Sequence, residues 1–190
     1  MNLIISLLGQ KHHNLFNEKF IHNIKKKDDS FLLNEILEKF SFCKKIFIIC
    51  KKEKNNTKSV NFKKTNIIKI IYSKDTTNQI NSILKVTKFI KNKDKIIILN
   101  PDSLFDVEAK DFNNSLDGII FNINKNDLGR NFANKDTLYL DKNNKIIQIK
   151  KKTKDLKEKI VSAGLYCFKN LSLLIDGCLK VKNINKKNLQ

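Results

Sequence analysis

Arginine is almost absent from this chain, although the chain is strongly basic. Arg130 is the only arginine, while the formal net charge is +19. Proteins that read duplexes or grip phosphates lean on the planar guanidinium fork, which matches phosphates and guanine edges as an ammonium does not. The basicity is therefore read as compositional. It accompanies a crowding of Lys, Asn, Ile and Phe of the kind AT-biased coding produces, and nucleic acid is not the expected partner. A binder driven by lysine alone would show affinity falling steeply with salt and no nucleotide preference.

Proline and glycine are scarce as well: Pro101 is the only proline and there are five glycines. No stretch rich in Pro, Gly or Ser marks a linker, so residues 1–181 are expected to form one domain, followed by a polar tail over 182–190. Four cysteines are present, none in a C-x-x-C pair. Their spacing with His12, His13 and His22 matches no zinc pattern, so buried, reduced thiols are expected. There is no G-x-S-x-G elbow and no G-x-x-x-x-G-K-[ST] loop, which argues against the corresponding hydrolase and P-loop chemistries. No apolar run reaches membrane-spanning length, and Met1 to Leu8 is too short for a secretory core, so a cytoplasmic location is expected.

What is present is alternation. The apolar fraction is 41%, enough for a core. Asn2 to Leu8, Lys45 to Cys50, Asn66 to Tyr72 and Lys95 to Asn100 read as strands, most of them continuous apolar runs suited to a buried parallel sheet. Lys19 to Ile24 reads as a short extended piece. Helical spacing appears over Phe31 to Phe40, burying Leu32, Leu33, Ile36, Leu37 and Phe40. A second helix is expected to start at a capping box over Thr76 to Gln79 and run to about Lys91, burying Ile80, Ile83, Leu84, Thr87 and Ile90. The second half changes character. Gly118 to Ile123 and Ile160 to Phe168 read as strands. Thr137 to Leu140 and Lys145 to Lys150 flank Asp-Lys-Asn-Asn and read as a hairpin. A last helix is expected over Leu171 to Val181. The fold class is thus α/β: an open, mixed, mainly parallel sheet flanked by helices, with a β-hairpin in the second half.

Ligands of such sheets bind at the carboxyl ends of the strands. Asp102 follows an apolar strand directly. It is either a carboxylate for a hard cation such as Mg²⁺ or a turn residue after Pro101; Asp106 stands near enough in sequence to help it or simply to face solvent. Gly9, with Gln10 and Lys11, follows the first strand and offers a weak phosphate loop, since such loops usually carry more glycine. Gln79 at a helix start could read a base edge through its paired donor and acceptor, or merely cap the helix. Gly164 inside a strand marks either close approach by a ligand or a bulge. Lys151, ending a strand, meets a phosphate or is simply solvated.

These residues, in this order, resemble the sugar-phosphate nucleotidyltransferases of the GT-A-like, nucleotide-diphospho-sugar transferase fold. Thr77 to Phe105, TNQINSILKVTKFIKNKDKIIILNPDSLF, looks like the family's helix, strand and metal aspartate. Thr137 to Lys151, TLYLDKNNKIIQIKK, looks like the hairpin before the family's Glu-Lys-Pro motif. Ser162 to Phe168, SAGLYCF, looks like the strand whose glycine contacts the sugar. More loosely, NLIISLLGQ followed by Lys19-Phe20 and LLNEILEKF resembles the family's opening.

The resemblance implies a nucleoside triphosphate and a sugar phosphate as partners and Mg²⁺ as cofactor. Asp102 would hold the metal and, with Lys19, form the catalytic set. Leu8, Gly9, Gln10, Lys11, Gln79 and Asn100 would bind the nucleotide, and Gly164 and Lys151 the sugar. The chain departs from the family in three places. The opening loop lacks the extra glycines and the arginine. Lys151-Lys152-Thr153 stands where the family has Glu-Lys-Pro, and no match to the family's second metal aspartate follows the G-x-Y-x-F strand. Losing electrostatic clamps of this kind costs several kcal/mol of transition-state stabilisation, roughly. A non-catalytic relative that keeps the scaffold for binding or regulation is therefore the second reading.

Overall fold

A strand buried on both faces reads as a nearly continuous apolar run, and the first one does, with Asn2 and Ser6 as its buried polar ends. β1 (Asn2–Ser6) is buried along its whole length, with Leu3, Ile4 and Ile5 fully inaccessible. At about 1.5–3 kcal/mol per buried aliphatic side chain, such a run has no competitive alternative to the sheet interior. The structure is a computed structural model that describes residues 1–6, 32–51, 67–73, 79–100, 105–113, 115–123, 136–150 and 160–187. The expected extended piece at 19–24 and residues 76–78 of the capping box lie outside them.

In chain order the further elements are α1 (Leu32–Lys39), β2 (Lys45–Lys51), β3 (Ile67–Ser73), α2 (Gln79–Thr87), β4 (Ile96–Leu99), a 3₁₀ turn (Ala109–Phe112), β5 (Gly118–Ile123), β6 (Thr137–Leu140), β7 (Ile146–Lys150), β8 (Ile160–Phe168) and α3 (Leu171–Lys187). The chain forms two compact units: Met1–Gly118 with Cys167–Gln190, and Ile119–Tyr166. It is α/β, with an open, mixed, mainly parallel sheet flanked by helices.

In the first unit the strand order is β3-β2-β1-β4, and every pairing in it is parallel. β1 sits between β2 and β4, so Ile5 stands level with Ile48 on one side and Leu99 on the other. Helix α1 buries Ile36 and Leu37 as its spacing predicts, and Phe40, just past its end, is buried too; the side chains of Leu32 and Leu33 lie outside the described residues. Helix α2 packs against β1 and α3, but its buried stripe differs from the expected one. Ser82, Ile83, Val86 and Ile90 are buried, whereas Ile80, Leu84 and Thr87 are only half-buried. The helix also stops at Thr87, where the Thr87 hydroxyl turns back to the Leu84 carbonyl (2.7 Å). α3 starts on an Asn170 cap, whose Oδ1 accepts the Leu173 N–H (3.0 Å), a role suited to a short amide side chain. It continues past Val181 to Lys187.

The amino-terminal ends of these strands are tied together. Lys44 N–H donates to the Met1 carbonyl (3.0 Å), Asn2 N–H to the Lys95 carbonyl (2.9 Å), and the Asn2 amide to Asp94 (3.0 Å). Phe112 is fully buried there, with ring centroids 6.3 Å from Phe40 and 5.7 Å from Phe42. The Lys95 ammonium donates to its carbonyl oxygen.

Cys43 and Cys167 are buried in the same unit, as is Cys178, and all three are free thiols. Burial pushes the Cys43 thiol from its ordinary 9.0 up to about 12, against the pull of the chain's terminal ammonium. The folded chain therefore holds this proton more tightly than the unfolded one. That contribution to stability is intact below about pH 9 and is lost as pH rises towards about 12. Burial raises Cys167 and Cys178 as well, with the same sign. Urea denaturation is expected to show a midpoint falling from about pH 8 to about pH 10.5, with a shallower fall in Cys43→Ala.

In the second unit β6 pairs antiparallel with both β7 and β8, and β5 pairs with β8. The β6–β7 hairpin follows from its turn residues. Asp141 Oδ1 accepts N–H groups from Asn143 (2.8 Å) and Lys145 (2.9 Å), and Asn144 takes φ 60°. Asn and Asp tolerate that left-handed geometry and bond their own backbone.

Candidate functional site

Parallel strands run their carboxyl ends to one edge, and the register decides which loops leave from neighbouring points. Ile5 pairs with Leu99, so Ser6 and Asn100 close adjacent strands at the same level. Adjacent strands lie about 4.8 Å apart. Ser6 and Asn100, the last described residues before the Leu8–Lys11 and Asp102 segments, thus stand at neighbouring strand ends. Ser6 is buried and Asn100 half-buried. Helix α2 lies between β3 and β4, which are both strands of the parallel set, so its first turn, at Gln79, begins on this same edge. The positive end of its dipole therefore faces the edge where an anion would sit.

Leu8, Gly9, Gln10, Lys11, Lys19, Asp102 and Lys151 lie outside the described residues. Gln79 is described only as the first residue of α2. The structure thus brings together, by strand order and register, the stems that carry the nucleotide-side candidates. Among the described residues no cluster of three or more His, Cys, Asp or Glu side chains forms a metal centre, and no helix is long and apolar enough to cross a membrane.

Of its two readings, Asp106 takes the solvent-facing one. Its carboxylate is exposed and paired with the Lys39 ammonium at 2.5 Å. That hydrogen bond, with the attraction of the opposite charge, holds the Asp106 carboxyl below its usual range and the Lys39 ammonium above its own. Lys39 closes α1, the element that leads into the start of β2. The pair therefore belongs to the amino edge of the sheet, opposite the end at Asn100.

Gly164 lies in the second unit, in β8, with φ 84°. An L side chain is strained there, by about 1–2 kcal/mol. The Gly164 residue is buried and its N–H donates to Ser162 Oγ at 3.2 Å. Ser162, itself buried, also hydrogen-bonds the Tyr166 hydroxyl at 3.2 Å. This three-residue arrangement escaped sequence reasoning, because residues four apart in a regular strand are too far apart for it; the visible signal was the Ser-x-Gly-x-Tyr spacing around a strand glycine. Gly164→Ala is expected to lower stability by about 1–2 kcal/mol in chemical denaturation.

The fold, with its four-stranded parallel set in the order β3-β2-β1-β4 and its antiparallel hairpin, is nucleotidyltransferase-like. Solved structures of such proteins superpose on it. HddC from Yersinia pseudotuberculosis matches with a TM-score of 0.59 and 14% identity, covering 88% of this chain and 76% of that one. A protein described as a glucose-1-phosphate thymidylyltransferase, from Bacillus anthracis and in complex with sucrose, matches with a TM-score of 0.60 and 16% identity over 88% and 71% of the two chains. The inositol-1-phosphate CTP transferase from T. maritima matches with a TM-score of 0.60 and 10% identity over 88% and 69%. At these identities the likeness is one of fold. No protein-family model matches the sequence, and no curated protein matches it.

Proposed function

We propose that the chain binds a nucleoside triphosphate and a sugar phosphate and joins them into a nucleotide sugar, in the cytoplasm, for polysaccharide or capsule-type biosynthesis. The observation that supports this most directly is the in-register pairing of β1 with β4, which starts the Gly9 and Asp102 segments from adjacent strand ends. The reaction is attack by a phosphate oxygen of the sugar phosphate on the α-phosphorus. One P–O bond forms, the α–β bridging P–O bond breaks, and pyrophosphate leaves.

In this reading Leu8, Gly9, Gln10 and Lys11 face the triphosphate with Asn100, and Lys19 adds positive charge to it. Gln79 reads the base, while the Gly164 strand and Lys151 line the sugar. Asp102 holds Mg²⁺, a hard cation that suits a carboxylate together with substrate phosphates. When bound, the ion neutralises phosphate charge.

The non-catalytic relative is the second reading. It is favoured by Lys151-Lys152-Thr153, which puts a cation where the resembling family carries a carboxylate. Calorimetry with a panel of nucleoside triphosphates, with and without Mg²⁺, tests the binding site that both readings share. Wild type is expected to bind one or more of them in a Mg²⁺-dependent way, and Asp102→Ala to weaken that binding about tenfold or more, as loss of a charge-assisted contact does. Equal binding by the two proteins removes Asp102 from the site. Turnover to pyrophosphate then separates the enzyme from the inactive relative.

A further inference from the structure

Among the described residues five large apolar side chains are exposed, and three of them stand together on β7: Ile146, Ile147 and Ile149. β7 is exposed along its whole length. It also ends its sheet, pairing among the described residues with β6 alone. Opposite Ile149 on β6 is Leu138, which is 4% exposed, whereas Ile149 is 50% exposed. The layer that covers β6 therefore stops one strand short of the edge. Alternate residues of an antiparallel edge strand turn their N–H and C=O groups to the open side. β7 thus offers an open backbone row together with apolar side chains, which is a template for adding a further strand.

Charge decides what can be added there. Lys142, Lys145 and Lys150 flank the three isoleucines in sequence, and all three lysines are exposed. The Lys150 ammonium stands 5.1 Å from the centroid of the Tyr139 ring on the neighbouring strand. The single acid of the hairpin, Asp141, has Oδ1 engaged by the Asn143 and Lys145 N–H groups. A second copy would bring the same lysines and another net charge of +19 to this edge, and like charges facing across strands are unfavourable. A bilayer would leave the edge backbone unsatisfied in hydrocarbon. An extended segment carrying carboxylates meets both demands, because its backbone pairs with β7 and its acids face the lysines. The register shift between Tyr139 and Leu140 leaves Ile147 outside the ladder with β6. The regular part of the edge is therefore short, which suits one added segment and not an extending stack.

We propose that β7 docks an extended, acidic and apolar segment of another protein by strand addition, with Ile147 and Ile149 supplying the apolar contact and Lys145 and Lys150 facing its carboxylates. The inference does not rest on the proposed nucleotide chemistry. Fluorescence anisotropy of the full chain with a labelled peptide of alternating Val and Glu tests it. Parallel titrations use the Val–Lys counterpart and a Val–Glu peptide N-methylated at each peptide bond.

Wild type is expected to bind the Val–Glu peptide with a Kd below about 1 mM. The Val–Lys and N-methylated peptides should bind about tenfold more weakly or worse. The double variant Ile147→Ser with Ile149→Ser keeps every charge and should also lose about tenfold. Both side chains are exposed, so its urea midpoint should stay near that of wild type. Attraction to net charge alone is indifferent to this variant and to N-methylation, so an unchanged affinity in either case overturns the inference. Absence of Val–Glu binding up to about 1 mM overturns it too. Self-association in sedimentation that the double variant abolishes would assign the edge to a second copy. Uptake onto phosphatidylserine vesicles that the variant loses would assign it to a membrane. Either result overturns the inference.

Discussion

Phe112→Ala is expected to lower the stability of the folded chain by about 3–5 kcal/mol. Phe112 is fully buried, although it lies in a short 3₁₀ turn rather than in a strand or long helix. Its ring meets Phe40 and Phe42 at centroid distances of 6.3 and 5.7 Å, and those two rings meet each other at 5.7 Å. Removing one ring from a mutually packed trio loses its transfer free energy and leaves a cavity that two rigid neighbours fill poorly. The Lys95 bond to the Phe112 carbonyl depends on the same placement. Urea denaturation monitored by far-UV circular dichroism measures the loss. Phe40→Ala combined with Phe112→Ala should cost less than the sum of the single changes, since the two side chains share a contact. A loss below about 1 kcal/mol for Phe112→Ala would mean that the trio does not pack as described.

Ile5→Ala is expected to cost about 2–5 kcal/mol. Ile5 is fully buried in the strand between β2 and β4, level with Ile48 and Leu99. Its side chain is one of those that hold the carboxyl ends of β1 and β4 at a common level. The same denaturation measurement reads the stability loss. Nucleotide binding by Ile5→Ala should weaken more than that of an equally destabilised change at the amino edge, such as Phe40→Ala, because only the former disturbs the strand ends that carry the site.

The strands were largely legible. The run NLIISLL and the segment KIIILN announce burial on both faces, because consecutive apolar residues replace the alternation of a one-faced strand, and β1 and β4 are buried at every position. The hairpin was legible for a different reason: Asp-Lys-Asn-Asn carries its own turn chemistry, and Asp141 and Asn144 use it. The face of α2 was read less well. Ser82 is almost fully buried and Leu84 is not, since an apolar-residue count cannot see a small polar residue on the packed face. The extent of α3 was underestimated, because a lysine- and asparagine-rich stretch reads as a tail although helical backbone continues to Lys187.

Asp106 shows why the site was less legible than the fold. In sequence it stands four residues from Asp102, yet its partner Lys39 is 67 residues away. Chain proximity suggested shared chemistry; the structure pairs Asp106 with Lys39 at the amino edge. The Ser162–Tyr166 hydrogen bond is a similar case, because it joins residues four apart across a glycine of positive φ.

By itself, the sequence determined which segments are strands and helices and that they alternate in the α/β manner, because periodicity and burial are local demands that each segment states on its own. Tertiary structure alone decided that β1 and β4 are neighbours in register, that Asp106 faces Lys39 at the opposite edge, and that Gly164 takes a positive φ with its N–H on Ser162. Those facts depend on pairings between residues distant in the chain and on one backbone torsion, and neither leaves a periodic trace in the order of amino acids.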